Sequence, residues 1–178
     1  MKNHQGFTIW FTGLPSCGKT TIANRVAQIL QNRNYHVEQL DGDILRENLS
    51  KDLGFSKKDR DENIRRATFI AQILTRNNVI VLASFVSPYR KQRKEARKKI
   101  IKFIEVYVRC PAEICRQRDV KGMYKKAIDG QIKDFTGIDD PYEEPEHPEI
   151  IVDTHKESIK ESVNKVIQRI EELGYISK

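Results

Sequence analysis

The chain has 178 residues, enough for one domain with a full hydrophobic core, and no Gly/Ser/Pro-rich linker divides it. The 32 Lys and Arg residues outnumber the 25 Asp and Glu residues, and the net charge of +7 favours anionic partners. There is neither a signal-peptide pattern nor an apolar run long enough to span a bilayer, so we expect a cytoplasmic protein without a membrane partner. The three cysteines match neither a secreted disulfide framework nor a zinc site, which predicts reduced thiols.

The first predicted elements are a strand, a loop and a helix in FTIWFTGLPSCGKTTIANRVAQIL, residues 7–30. The β-prone run from Phe7 to Phe11 predicts the strand, and apolar residues recur at helical spacing from Ile22 to Leu30. Residues 13–20 fit G-x-x-x-x-G-K-[ST], in which backbone N–H groups and a helix N-terminus hold phosphates. A chance surface turn is the alternative, but the order strand, loop, helix favours a nucleoside triphosphate site. Lys19 is expected at the β- and γ-phosphates and Thr20 at Mg²⁺.

Strands and helices then alternate along the chain. Further strands are predicted at 36–41, 79–85, 103–110 and 149–154, and a helix at 61–78. A closing helix is predicted to bury one apolar face, formed by Ile159, Val163, Val166, Ile167, Ile170 and Leu173. The segment 119–148 shows neither a strand nor a clear amphipathic helix and is predicted to be a functional lid or a structured active-site loop. The pattern predicts one α/β domain over residues 1–178, with a five-stranded parallel sheet covered by helices on both faces.

Ligands of such a sheet bind at the carboxyl ends of the strands. The second strand ends in DGD, so Asp41 and Asp43 could divide the work of contacting a metal or its water and orienting an acceptor hydroxyl. A turn capped by an aspartate is the structural alternative. Cys17 lies beside the predicted helix N-terminus, where a thiol can have a lowered pKa, although a small residue filling a tight loop is the favoured interpretation.

The basic run YRKQRKEARKK, residues 89–99, raises the question of a nucleic-acid partner. Its charges are mixed and helically spaced, and no aromatic interleaving or nucleic-acid motif accompanies them. We therefore predict a solvated helix face and no nucleic-acid partner. A site that holds two polyphosphate-like molecules at once would also explain the excess positive charge.

Several later segments resemble the adenylylsulfate kinase family. DGDILRENLSKDLGFSKKDRDENIRR is similar to its D-G-D-x-x-R, L-G-F-S and D-R-x-x-N-[IV]-R-R elements, and SFVSPY and RDVKGMYKKAIDGQIKDFTGIDDPYEEPEHPE are similar to its later signature and lid. The resemblance runs from about Gly6 to the final helix. It implies a P-loop NTPase three-layer fold, ATP and Mg²⁺, a homodimer, and transfer of the γ-phosphoryl group of ATP to the 3′-hydroxyl of adenosine 5′-phosphosulfate (APS) in sulfate assimilation.

The resemblance also assigns the site residues. The ATP residues would be Gly13, Ser16, Cys17, Gly18, Lys19, Thr20, Thr21 and Arg118. The acceptor residues would be Asp43, Arg46, Phe55, Arg60, Asn63, Val86, Ser87, Lys121 and Phe135. Catalysis is expected from Lys19, Asp41, Asp43 and Ser87, and metal binding from Thr20 and Asp41. Phe55 and Phe135 can sandwich a base, while the arginines and Lys121 suit a charged 5′-anhydride. Because no base is evident beside Ser87, we favour a substrate hydrogen bond over a phosphorylated intermediate.

The chain also departs from the family pattern. Pro15, Ser16 and Cys17 replace more usual loop residues, Ile44 replaces a frequent asparagine, and Asp134 stands where glycine or asparagine is common. The connection KKIIKFIEV before the fourth strand is also shortened. These changes are neutral drift or mark a related kinase of another nucleotide anhydride, such as cytidine diphosphoramidate in capsule synthesis. A regulatory or nucleic-acid-binding module switched by ATP is a further alternative, against which the lid and acceptor motifs count.

Overall fold

A computed structural model describes residues 4–177. Five strands form one parallel sheet in the order β2-β3-β1-β4-β5. The strands are β1 Phe7–Thr12, β2 Val37–Asp41, β3 Ile80–Ser84, β4 Phe103–Arg109 and β5 Ile150–Asp153. The predicted parallel α/β fold is confirmed, and each predicted strand lies within about two residues of its observed bounds.

Seven helices flank this sheet within the described part of the chain. They are α1 Lys19–Asn32, α2 Gly42–Asn48, α3 Lys57–Arg76, α4 Arg90–Lys99, α5 Ala112–Arg118, α6 Met123–Ile128 and α7 Ile159–Glu172. Helices α1 and α7 pack together, as do α3 and α4. Two apolar clusters result, one joining the sheet to the first pair and the other joining it to the second pair. The sheet is therefore the middle of three layers.

Some helix predictions were wrong. Helix α3 begins four residues before the predicted start because Ser56 caps it, its hydroxyl accepting a hydrogen bond from the Asp59 N–H. The first and last residues of the predicted apolar face of the last helix are not buried, since Ile159 and Leu173 are 53% and 37% exposed. Ile159 is the first residue of α7, and Leu173 follows its last residue.

The segment 119–148 includes helical structure that was not predicted. It contains α6, whose Tyr124 and Ala127 side chains are buried. The Asp119 carboxylate begins this helix by accepting from the N–H groups of Tyr124 and Lys125, both at 3.0 Å. The prediction that no amphipathic helix occurs here was therefore wrong, and movement of the segment as a lid stays a prediction.

The basic run 89–99 forms a helix as predicted, but it is not a purely solvated one. Gln92, Arg93 and Ala96 of α4 are buried. On its outer side, Lys94 pairs with Glu146 at 2.9 Å. Several positive charges of this run are thus paired with carboxylates of the same protein. No helix among residues 4–177 has the length and apolar character needed to cross a membrane.

Candidate active site

A cavity of about 320 Å³ opens where β1, β2 and β3 end. Parallel sheets bind ligands at this edge, next to the central strand where the chain changes direction across the sheet. The wall includes most of the predicted site residues: Ser16, Gly18, Lys19, Thr20, Thr21, Asp41, Asp43, Arg46, Phe55, Arg60, Asn63, Val86, Ser87, Lys121 and Phe135. Gly13, Cys17 and Arg118 lie outside the wall.

Hydrogen bonds between its own residues hold the phosphate loop, residues 13–20, together. The Lys19 Nζ atom donates to the carbonyl oxygens of Gly13 at 3.0 Å and Leu14 at 2.8 Å. Gly13 is needed for a close approach, because a Cβ atom there would lie 2.5 Å from the Val108 carbonyl oxygen. Ser16 takes a left-handed conformation with φ of 60°, which costs more for serine than for glycine. The N-terminus of α1 follows directly and presents its free N–H groups to an anion.

Cys17 does not have the lowered pKa considered from the sequence. Its side chain is fully buried, and this burial raises the thiol pKa, outweighing the opposing effect of Lys19. The side chain is therefore a loop filler, as favoured above. The Cys17 carbonyl accepts from the Thr154 hydroxyl at 2.7 Å, and Arg118 donates to the Thr154 carbonyl at 2.6 Å. Arg118 thus braces the outside of the loop, next to the turn after β5.

The Asp41 carboxylate connects the phosphate loop to the start of α2. One carboxylate oxygen accepts from the Thr20 hydroxyl at 2.8 Å, and the other accepts from the Asp43 N–H at 2.9 Å, which caps α2. The sequence did not predict α2, although the capping alternative pointed to its first turn. Asp43 is exposed and forms an ion pair with Lys121 of the predicted lid. Asp41 therefore contacts the start of α1, and Asp43 contacts the segment 119–148.

Basic side chains lie around Phe55 in another part of the cavity wall. The Arg46 and Arg60 guanidinium carbons lie 4.7 and 5.8 Å from the centre of its ring. Burial and the neighbouring Arg60 lower the pKa of Arg46. Such crowding of two cations favours an anionic ligand. Nearby, the Asn63 Oδ1 atom is buried without a hydrogen-bond partner, so a polar acceptor remains available in the cavity wall.

Ser87 lies in a network of buried polar groups. Its hydroxyl accepts from the Trp10 indole N–H at 3.1 Å and donates to the Thr12 hydroxyl oxygen at 3.0 Å. The Thr12 hydroxyl in turn donates to the Val86 carbonyl at 2.8 Å. No basic side chain takes part in this hydroxyl chain, which counts against a nucleophilic role for Ser87.

Sequence reasoning missed part of the site. Val120, Met123 and Thr136 also line the cavity, and their only sequence signal was their place in the predicted lid. Ile44 and Asp134, the departures closest to the acceptor motifs, do not line it. Asp134 instead has a left-handed φ of 56°, which explains why glycine and asparagine suit this position, and its carbonyl accepts from Arg60.

The fold and the phosphate loop together define a P-loop kinase. The family model for adenylylsulphate kinase matches residues 5–153. An adenylyl-sulfate kinase of Halothermothrix orenii is 55% identical over 177 residues, covering 99% of this chain and 96% of its own length. One from Rippkaea orientalis is 58% identical over 174 residues, with 98% and 96% covered. The chain belongs to the adenylylsulfate kinase family.

Solved structures agree with this assignment. The Mycobacterium tuberculosis APS kinase CysC in complex with AMPPNP and APS matches with a TM-score of 0.91 and 40% identity, covering 95% of this chain and 99% of that one. A hexameric APS kinase from Thiobacillus denitrificans matches with a TM-score of 0.75 and 35% identity, covering 97% of this chain and 30% of that one. A gluconokinase from Sinorhizobium meliloti, at 15% identity, shares the fold alone.

Proposed function

We propose that this enzyme transfers the γ-phosphoryl group of ATP to the 3′-hydroxyl of APS, giving 3′-phosphoadenosine 5′-phosphosulfate and ADP. The observation that carries the proposal is one cavity lined by a phosphate loop and also by a crowded pair of arginines around Phe55, which form two separate parts of its wall in the chain. These two walls suit two anionic nucleotides in one site. The regulatory alternative provides no reason for the second wall.

In the proposed reaction, the 3′-oxygen of the acceptor forms a bond to the γ-phosphorus, and the bond between this phosphorus and the β–γ bridging oxygen breaks. The electron pair of the broken bond leaves with ADP, and the hydroxyl proton passes to a carboxylate of the Asp41 and Asp43 pair. Lys19 neutralises charge on the transferred group, since phosphoryl transfer depends mainly on positioning and electrostatic stabilisation. Positioning of the acceptor falls to Phe55, Phe135 and the arginines.

Thr20 and Asp41 fit a Mg²⁺ ion. Their oxygen atoms already lie 2.8 Å apart beside the phosphate loop, and Mg²⁺ is commonly bound through one or two protein oxygens together with phosphates and water. When bound, the ion supplies positive charge at the β- and γ-phosphate oxygens. Asp41 would also keep its N-cap bond to α2, which fixes the carboxylate in place.

Ser87 is part of the same proposal as a residue that places the substrate. Its hydroxyl already has a donor and an acceptor partner, so its contribution is to fix the wall formed by residues 86–88. We also infer a homodimer in the cytoplasm. The family resemblance supports the dimer, and light scattering coupled to gel filtration tests it by distinguishing one chain from two.

The direct test of the activity is ADP formation in the presence of Mg-ATP and increasing APS. We expect ADP and 3′-phosphorylated product to form in equal amounts, with a rate that saturates with APS and does not change when RNA or DNA is added. ADP formation that ignores APS but responds to nucleic acid would support the regulatory alternative and contradict the proposal.

A further inference from the structure

Arg93 of α4 points inward and connects three parts of the protein. Its side chain is 3% exposed, and its Nε atom donates to the Glu105 carboxylate of β4 at 2.8 Å. One terminal nitrogen donates to the Ser87 carbonyl at 2.6 Å, and the other donates to the Glu143 carbonyl. A single guanidinium therefore joins the central sheet, the loop after β3 and the segment that follows α6.

The buried pair formed by Arg93 and Glu105 has a cost that stability alone does not explain. Removing two charges from water is unfavourable, and packed apolar side chains of similar size are often at least as stabilising. What an arginine provides and an apolar residue does not is directional bonding from a planar fork. The pair therefore points to a requirement for accurate placement of the groups it bonds.

The first of these groups is the acceptor loop, Val86–Pro88, all of which lines the cavity. Ser87 has a φ of 39°, an unfavourable conformation for a residue other than glycine, which must be maintained by its surroundings. The Arg93 bond to the Ser87 carbonyl and the Trp10 bond to its hydroxyl hold the residue from two sides.

The second group is a strap, residues 140–146, which lies against the acceptor loop. The Glu143 N–H donates to the Pro88 carbonyl at 2.8 Å, and the Glu143 carboxylate accepts from the Arg90 N–H at 2.7 Å. The Tyr142 hydroxyl lies 2.9 Å from that of Thr12, the last residue before the phosphate loop. The Arg93 guanidinium stands 5.6 Å from the Tyr142 ring centre.

We propose that Arg93, oriented by Glu105, is a positioning residue for acceptor binding. It holds the acceptor loop and the strap in the conformation that receives the acceptor nucleotide, and it does so without contacting the reacting atoms. The inference rests on the proposed function, because it assumes that residues 86–88 meet the acceptor. Its effect should fall on the acceptor, since none of its three hydrogen bonds reaches the phosphate loop.

The test compares Arg93→Lys with the matched control Arg97→Lys. Arg97 lies one turn further along α4 and also approaches Glu105, at 3.5 Å, but its main partner is Glu149. Lysine keeps the charge but cannot make three planar bonds. For Arg93→Lys we expect the KM for APS to rise about tenfold or more, because small misplacements at a site have large effects. The KM for ATP should stay within about twofold, and Arg97→Lys should leave both values within about twofold.

Amide hydrogen exchange provides a readout that does not depend on turnover. In Arg93→Lys, exchange should quicken at the non-proline amides of residues 86–88 and 140–146 but not in the phosphate loop. If Arg93→Lys does not fold, Arg93→Met/Glu105→Gln, which leaves no buried charge, is measured in its place with the same expectations.

Equal increases in both KM values, an unchanged KM for APS, or uniformly faster exchange would each overturn the proposal. If the unaltered enzyme forms no ADP with APS, the proposed function fails, and the local exchange pattern alone decides whether Arg93 holds the loop and the strap.

Discussion

The two walls of the cavity are built in different ways. The ATP wall comes from the short stretch 15–21, next to which Lys19 donates hydrogen bonds to the Gly13 and Leu14 carbonyls. The acceptor wall gathers residues from α2, α3, the loop after β3 and the segment 119–148. It depends on contacts between distant residues, such as Lys121 with Asp43 and Arg60 with the Asp134 carbonyl. We infer that substitutions in the ATP wall act on chemistry, whereas those in the acceptor wall act first on acceptor affinity.

The largest expected effect is that of Lys19→Ala. Turnover should fall about 100- to 1,000-fold, because this is the usual loss when one preorganised electrostatic partner of the transition state is removed. Single-turnover rates at saturating Mg-ATP and APS measure it, and circular dichroism checks that the fold is retained. Near-normal turnover would mean that the ATP wall is wrongly assigned.

Asp41→Asn tests the boundary between the two walls. Asparagine keeps an oxygen that can cap α2, so the fold should persist while the negative charge is lost. We expect turnover to fall about 100-fold with little change in either KM, since the group acts mainly in the transition state. Asp43→Asn should change turnover and acceptor KM together. A change confined to acceptor KM in Asp41→Asn would contradict this division of roles.

Phe55→Ala tests the acceptor wall alone. Stacking of a base on an aromatic ring contributes about 1 to 3 kcal/mol, so acceptor affinity should fall about 5- to 150-fold while ATP affinity stays nearly constant. Calorimetry with each nucleotide measures this. Phe69→Ala is the matched control, because Phe69 is an exposed phenylalanine of α3 outside the cavity wall. Equal loss of ATP affinity in Phe55→Ala would remove the distinction between the walls.

The smallest expected effect concerns acid stability near the acceptor wall. Arg66 bonds both Asp52 and the Leu49 carbonyl, which secures the loop leading to Phe55. Hydrogen bonds from Arg65 and then Arg66 lower the pKa of Glu62 from 4.5 to about 2. Because the Glu62 pKa is lower in the folded protein than in the unfolded chain, the ionised carboxylate stabilises the fold at pH values above about 4.5. This stabilisation is lost as the pH falls through the folded-state pKa of about 2.

Comparing the unaltered protein with Glu62→Gln tests that effect. The difference in Tm should be small at pH 7, because the side chain is exposed, and should shrink between about pH 4.5 and 2. A difference that grows on acidification would contradict the role of the Arg65 and Arg66 bonds.

The sequence could predict the sheet and the ATP wall because both depend on local patterns. A buried strand followed by a glycine loop and an amphipathic helix specifies its own geometry, as residues 7–30 illustrate. Helix α6 escaped prediction because only six residues form it, too few for a clear period, and its start depends on the Asp119 cap. The short helix α2 was missed for the same reason.

The hydrogen bonds and ion pairs that hold the acceptor wall together could not be predicted from the residues alone. Nothing in the spacing of YRKQRKEARKK singles out Arg93 as the buried cation, because its partner Glu105 lies in another element and Ser87 and Glu143 are bonded through backbone atoms. The acceptor residues themselves were predicted through the family resemblance. Their placement around one cavity agrees with that expectation, while their individual roles stay predictions.

The most direct measurement is a comparison of kcat/KM for APS and for cytidine diphosphoramidate with Mg-ATP, with phosphorus NMR used to locate the new phosphate. Aromatic stacking accepts any base, so polar contacts and pocket size must decide between adenine and cytosine. We predict that APS is the more efficient acceptor and that its product carries a 3′-phosphate. A cytidine anhydride turned over about tenfold more efficiently than APS would contradict the proposed substrate, since a difference of that size exceeds what stacking alone discriminates.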